Sequence, residues 1–266
     1  GIVFLLSAIA AGSLIWRLEQ GDRQTLRQHA SIEAAGHASA LQQSIERTLS
    51  ASYALAALVR QGNGVVSDFD AVAGNMLALY PGASSLQLAP GGVVQRIVPL
   101  AGNEPAIGHD LLKDPLRTKA AFLARDTGKL TLDGPFNLVQ GGTGAVGRLP
   151  VFIDDAGGRP HFWGFTSVLI RFPEAIDGTG LSKLSAQGIA WELWRIHPDS
   201  GQKQIIAASS SAPLTDPVSY ALNVSNATWT MSVAPAAGWF APIRLSARAA
   251  VGLLFSLMLA YLAKLL

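Results

Sequence analysis

Both ends of this 266-residue chain are apolar runs free of charge, and they constrain its folding more than any other feature. Residues 1–16 (GIVFLLSAIAAGSLIW) carry no charge, nor do residues 249–263, and Leu265 and Leu266 finish the chain. At 1.5 Å rise per residue the first run makes a helix about 24 Å long, a little under the ~30 Å hydrocarbon core of a bilayer. Trp239, Phe240, Arg244 and Arg248 precede the second run, an aromatic and basic order suited to a helix entering lipid. Two membrane spans are expected, 1–20 and 245–266, with both termini on one side and 21–240 on the other. Ala8-Ile9-Ala10 has the small residues of a signal-peptide cleavage site, but no charged region precedes it and a helical pattern continues after it. The chain begins with Gly rather than Met and ends in apolar sequence, so more chain is expected beyond it.

Composition narrows the function classes. Charged residues make up 14%, well below the usual ~25%, as expected of a chain partly outside water. With 49% hydrophobic residues it is not disordered. The absence of Cys excludes a disulfide scaffold, a thiol nucleophile and cysteine-based metal centres. A net charge of +2 provides no clustered basic face, so no nucleic-acid partner is expected.

Residues 17–60 contain no Pro, and Ala34, Ala38, Leu41, Ile45, Thr48, Ser52, Leu55 and Val59 recur at alternating spacings of four and three. That seam predicts a stalk helix about 65 Å long over 21–62, which either joins a second copy in a parallel homodimer or packs on its own domain. Gln61-Gly62-Asn63-Gly64 ends it. A short helix near 68–79 follows, then strands at 84–89 and 93–100 across the Pro90-Gly91-Gly92 turn. Asp114-Pro115 predicts the start of a helix that Gly128 closes. Strands are expected at 129–132, 136–140, 149–153 and 161–170. A broken helix at 174–186 and two hairpins, 189–196 with 204–208 and 218–224 with 228–233, make a second unit. The middle reads as two α+β units in series, each a mainly antiparallel sheet.

Enzyme signatures are missing. Residues 142–147 (GTGAVG) match G-x-G-x-x-G, but they continue into strand-like Arg148-Leu149-Pro150-Val151-Phe152 where a dinucleotide site needs a helix. They read instead as a permissive glycine loop that lets backbone approach a small ligand. His29, His37, His109, His161 and His197 form no H-E-x-x-H, and His109-Asp110 is the one adjacent His/carboxylate pair. No cofactor and no metal are expected. A polar-aromatic group remains among apolar strands: Asn103-Glu104, Asp133-Gly134-Pro135-Phe136, Gln140-Gly141-Gly142 and Arg148. Such a group suits a small-molecule pocket, although Asn103 and Asp133 are also ordinary turn formers.

Ordered blocks from Tyr80 to Trp163 resemble the CHASE domain, the extracytoplasmic sensor module of cytokinin receptors and of many bacterial sensor kinases and cyclic-di-GMP enzymes. They are Tyr80-Pro81-Gly82, Leu88-Ala89-Pro90-Gly91-Gly92, Gly102-Asn103-Glu104, Gly108-His109-Asp110-Leu111, Asp126-Thr127-Gly128, residues 134–142 (GPFNLVQGG), Arg148-Leu149-Pro150-Val151-Phe152 and Phe162-Trp163-Gly164. The resemblance implies a stalk helix, a membrane-distal PAS-like ligand-binding domain (63–170), a membrane-proximal PAS-like domain (171–240) and a second span. It implies a homodimer in the inner membrane, with 21–240 in the periplasm. The fragment would be non-catalytic, with a kinase or GGDEF/EAL domain in the full-length protein. The ligand it implies is small, an adenine-type cytokinin in the plant receptors, where a carboxylate bonds the purine. Asn103 stands at that place, and an amide both donates and accepts. Leu132, Phe136, Gly141 and Phe152 complete the expected ligand-binding set. A membrane-tethered periplasmic enzyme and a protein-interaction module are the alternatives.

Overall fold

The computed structural model describes residues 2–265 except Leu116 and Ala241, and leaves out the side chains of Asp177, Pro242 and Ile243. Gly1 and Leu266, the outer ends of the expected spans, lie outside the described residues. Helix α1 (Ile2–Gln61) runs unbroken from the first apolar run through the stalk. It stops where Asn63 and Gly64 take positive φ, and the Gly64 N–H bonds the Val59 carbonyl as in a Schellman-type cap. Helix α2 (Phe69–Leu79) follows.

Strands β1 (Ser85–Pro90) and β2 (Arg96–Val98) come next. The strand expected at 93–100 is shorter because Val94 pairs elsewhere: its N–H bonds the His109 carbonyl and its carbonyl accepts from Gly108. The helix expected from Asp114-Pro115 begins later, as α3 (Thr118–Thr127). The Asp114 carbonyl instead holds a turn, accepting from Arg117 and Thr118 N–H. Gly128 closes α3 in the left-handed conformation, as expected.

Strands β3 (Thr131–Asn137), β4 (Thr143–Asp154) and β5 (Pro160–Phe172) complete a sheet of order β2-β1-β5-β4-β3, antiparallel throughout. Of the expected glycine loop at 142–147, residues 143–147 open β4, and Gly142 stays in the turn before it at φ +78°. Gly144 and Gly147 serve close packing: a Cβ on Gly147 would lie 2.2 Å from Leu49 Cδ2, and one on Gly144 2.7 Å from the Ile170 carbonyl oxygen.

After short helices α4 (Glu174–Asp177) and α5 (Leu181–Ala186), strands β6 (Ile189–Ile196), β7 (Lys203–Ala208), β8 (Val218–Val224) and β9 (Ala227–Pro235) form a second antiparallel sheet, order β7-β6-β9-β8. Helix α6 (Pro242–Leu265) ends the described chain.

The stalk seam is spent within the chain. Ala34, Ala38, Leu41, Ile45, Thr48, Ser52, Leu55 and Val59 are all buried in this single copy. Ala30, Ala34, Ala38 and Leu41 share a core with Leu193, Trp229 and Met231 of the second sheet. Leu55 and Val59 join Leu86, Leu149, Val151 and Val168 of the first. Each buried Leu, Ile or Val contributes about 1.5–3 kcal/mol, which favours packing on the sheets over an exposed coiled-coil stripe. A dimer through Leu41 and Ile45 is therefore corrected: those side chains face the chain's own sheets.

α1 and α6 each contain a segment long and apolar enough to cross a membrane. The large side chains exposed there, including Leu5, Leu6, Trp16, Val251 and Leu254, suit a lipid environment. The two helices pack closely where Gly252 meets Ala11 and Ile15, and Arg248 bonds Glu19 (3.1 Å) and Asp22 (2.7 Å) just beyond.

Candidate ligand-binding site

Register decides which residues share a face of the first sheet. Leu86, Val168, Gly147 and Leu132 pair successively across β1, β5, β4 and β3, and this row faces α1. The next row, Gln87, Ser167, Arg148 and Thr131, faces the other way. All four are buried polar residues in strands that otherwise read as apolar. The segment 99–114 and α3 cover this second face and leave a cavity of about 30 Å³, room for one or two waters. Its walls include Gln87, Val94, Ala106, Arg117, Phe136 and Arg148.

A β-bulge brings Asp133 and Phe136 onto this face together. Asp133 pairs with Val146 and Phe136 with Gly144, so β3 holds one residue more than β4 between them. Gly134 makes the bulge sterically feasible: φ is +112°, and a Cβ would fall 2.8 Å from the Gly144 carbonyl oxygen.

Charged groups inside the site are paired. Arg148, 1% exposed, gives Nη1–H to Asp133 Oδ2 at 2.7 Å, so Asp133 is more than the turn former it resembled. Arg117 bonds the Asp114 carboxylate and lies 4.6 Å over the Phe136 ring. His109 Nε2 is 3.0 Å from Asp114 Oδ2 but misaligned for a hydrogen bond. Burial, reinforced by Arg117 and Arg148, holds the His109 pKa below 6.5 against the opposing pull of Asp114. The sequence neighbour Asp110 pairs with Lys113 instead. Among the described residues, two buried polar atoms on this sheet face have no hydrogen-bond partner, Arg148 Nε and Ser167 Oγ, and His109 Nε2 on the covering segment is a third.

The expected residues fall in four places. Phe136 lines the cavity. Asn103 and Gly141 meet at its edge through Arg171, which donates to Gly141 O (2.8 Å) and Asn103 Oδ1 (3.4 Å). Asn103, 4% exposed, also accepts from Gln140 Nε2 (3.2 Å) and donates to Pro99 O (2.9 Å), so its amide clasps the covering segment. Leu132 lies on the stalk face, its N–H bonded to Asn226 Oδ1 at 2.6 Å. Phe152 packs edge-on against Phe162 toward the far end of β4. Sequence reasoning missed Gln87, Ser167, His109, Asp114 and Arg117 as parts of one site. A lone polar residue between leucines, as in Leu86-Gln87-Leu88, was the available signal.

Larger concavities lie elsewhere. One of about 680 Å³ runs between α1 and α6 with an almost wholly apolar lining, as suits a seam facing lipid. Another of about 350 Å³, lined by Leu132, Asp133 and Arg195, separates the two sheets near β3.

Among solved structures, the fold resembles an extracellular ligand binding receptor from Desulfohalobium retbaense, at 15% identity and TM-score 0.53 over 81% of this chain. The chain spans 39% of that receptor's length. The sensory domain of the Campylobacter jejuni chemoreceptor Tlp3 aligns at 13% identity and TM-score 0.49, covering 82% of this chain and 97% of that one. The Vibrio cholerae LuxQ periplasmic domain aligns at 13% identity and TM-score 0.45, covering 77% and 98%. No curated protein sequence matches. The family model for the CHASE domain matches residues 39–205, from mid-stalk to β7 and more than half of the chain, so the chain belongs to the CHASE domain family.

Proposed function

We propose that the chain is the extracytoplasmic sensing region of a transmembrane signalling receptor, and that a small molecule bound in the first-sheet cavity is its stimulus. The family supports a sensor that is itself non-catalytic. In the full-length protein a histidine kinase or a diguanylate cyclase/phosphodiesterase receives the signal. The units 63–170 and 171–240 act as PAS-like domains, distal and proximal to the inner membrane, with 21–240 in the periplasm.

One observation carries this reading: Arg148 in the cavity and Gly147 against the stalk are consecutive residues of β4. Successive strand residues point to opposite faces, so a ligand that repositions Arg148 shifts the backbone against Leu49 of α1. A second route runs through the Asp133 bulge. Pro135 O accepts from Gln204 Nε2 (3.1 Å) and Arg195 Nη2 (3.4 Å) of the second sheet. Beyond that sheet, Asp216 holds Arg23 and Arg27 of α1, and Trp239 Nε1 bonds the Asp216 carbonyl (3.0 Å) just before α6. The signal is bounded by the ligand's difference in affinity between two such arrangements. A homodimer would use the outward face of α1, where Ile32 and Tyr53 are exposed.

The test combines binding with a readout of the stalk. The chain, in detergent micelles, is screened by thermal shift against amino acids, carboxylates and adenine-type bases, including a cytokinin. A true ligand stabilises the wild type, loses that effect with Ala106→Leu, which fills the cavity, and changes hydrogen exchange around Leu49. A ligand that binds in the cavity without altering exchange in α1 or α6 refutes sensing through this site.

A further inference from the structure

We infer that the stimulus carries a carboxylate, which Arg148 and Ser167 hold, with a short apolar tail lying against Val94, Leu111, Leu138 and Val146. The inference rests on the sensing reading of the same cavity and names the ligand class for it. Arg148 Nη1 is engaged by Asp133, while its Nε–H, in a side chain 1% exposed, has no acceptor among the described residues. Ser167 sits between Arg148 and Gln87 of the cavity wall in the strand pairing, and among the described residues its buried hydroxyl has no partner. Directly paired side chains start from Cβ atoms about 4.5–5.5 Å apart, so one small group reaches both. A carboxylate fits them chemically: it accepts only, and its two oxygens take the guanidinium N–H and the hydroxyl proton.

Charge agrees. Three guanidinium groups surround the site, Arg117, Arg148 and Arg171, against two carboxylates, Asp114 and Asp133. Arg117 and Arg148 hold those carboxylates, whereas Arg171 bonds the neutral acceptors Gly141 O and Asn103 Oδ1. Among the described residues Arg171 meets no carboxylate, and its charge is left for an anionic ligand. A purine fits less well, since the amide implied for it is already bonded on both sides. The tail walls are apolar, and the present 30 Å³ requires the 99–114 segment to lift as the ligand enters.

The experiment compares propionate, its neutral isostere propionamide, and adenine by calorimetry on the chain in micelles. Propionate is expected to bind, with propionamide at least about tenfold weaker, the range set by losing a charge-assisted hydrogen bond. Arg148→Lys keeps the charge and loses Nε, and weakens propionate about tenfold or more. Ser167→Ala removes an unsatisfied hydroxyl, so it folds at least as well as wild type while weakening propionate several-fold. Propionate binding no tighter than propionamide, or unchanged by Ser167→Ala in a folded protein, overturns the carboxylate. Failure of all three compounds to bind overturns it too. Adenine binding that Ala106→Leu abolishes overturns the ligand class but leaves the sensing reading standing.

Discussion

The contact between β4 and the stalk can be tested by adding one carbon. Gly147→Ala places a Cβ 2.2 Å from Leu49 Cδ2 and 3.6 Å from Leu49 Cγ. Carbon atoms rest about 3.5–4.0 Å apart, so the Leu49 tip must retreat by roughly 1.5 Å. Leu49 is buried in the core with Leu132 and Ala145, so it has no open solvent to move into. Overpacking of this kind costs about 1–3 kcal/mol. Leu49→Ala alone opens a hole and costs about 2–5 kcal/mol. In the double variant the new methyl occupies part of that hole, and the clash is gone. The pair should therefore cost less than the sum of its parts, with a coupling of about 1–3 kcal/mol. Urea unfolding in micelles, followed by tryptophan fluorescence, measures all four corners. Additivity within about 0.5 kcal/mol would show that Gly147 does not seat the stalk, and the proposed route from Arg148 to α1 would fail with it.

Other outcomes follow from the same geometry. The folded His109 pKa is lowered by burial and by Arg117 and Arg148, with Asp114 opposing. Below about pH 6.5 the unfolded chain binds a proton that the folded site resists, so stability is retained above that pH and falls as pH drops through it. Replacing His109 by Gln should flatten the unfolding free energy between pH 5 and 7, and an unchanged slope would contradict the assignment. Cys at Ile32 should crosslink to its own copy in membranes better than Cys at Leu41, and the reverse order would restore the seam as the dimer face. A membrane-impermeant maleimide should label Cys at exposed Ser209 in intact spheroplasts, and labelling only after lysis would reverse the topology.

The elements were legible where short-range chemistry governs them. Asn63 and Gly64 announced the end of α1, and Gly128 the end of α3, because positive φ favours these residues. The second-unit hairpins were visible as strand runs separated by turn residues. The start of α3 was misread because Asp114 and Pro115 have the right identities for a cap, while Asp114 turns the chain and holds Arg117 instead. The seam was visible, but its partner was not. A four-three spacing marks a face that wants apolar company, and a sheet of the same chain satisfies it as well as another helix does.

The site was less legible because its members come from five places in the sequence and meet only through register. Gln87, Ser167 and Arg148 lie on three strands, His109 and Asp114 on the covering segment, and Phe136 joins Asp133 on this face only because a bulge adds a residue to β3. Without that bulge, strict alternation carries Phe136 to the stalk face while Asp133 stays on the cavity face. The same parity explains why Leu132 left the expected set: it is one residue from Asp133 and so on the opposite side. The same parity underlies the proposed coupling of site to signal, because Arg148 in the cavity has Gly147 on the stalk face as its strand neighbour. In this chain that neighbour of Arg148 is a glycine with a leucine tip pressed against it. Backbone and helix touch there with no intervening side chain on the strand to absorb a displacement.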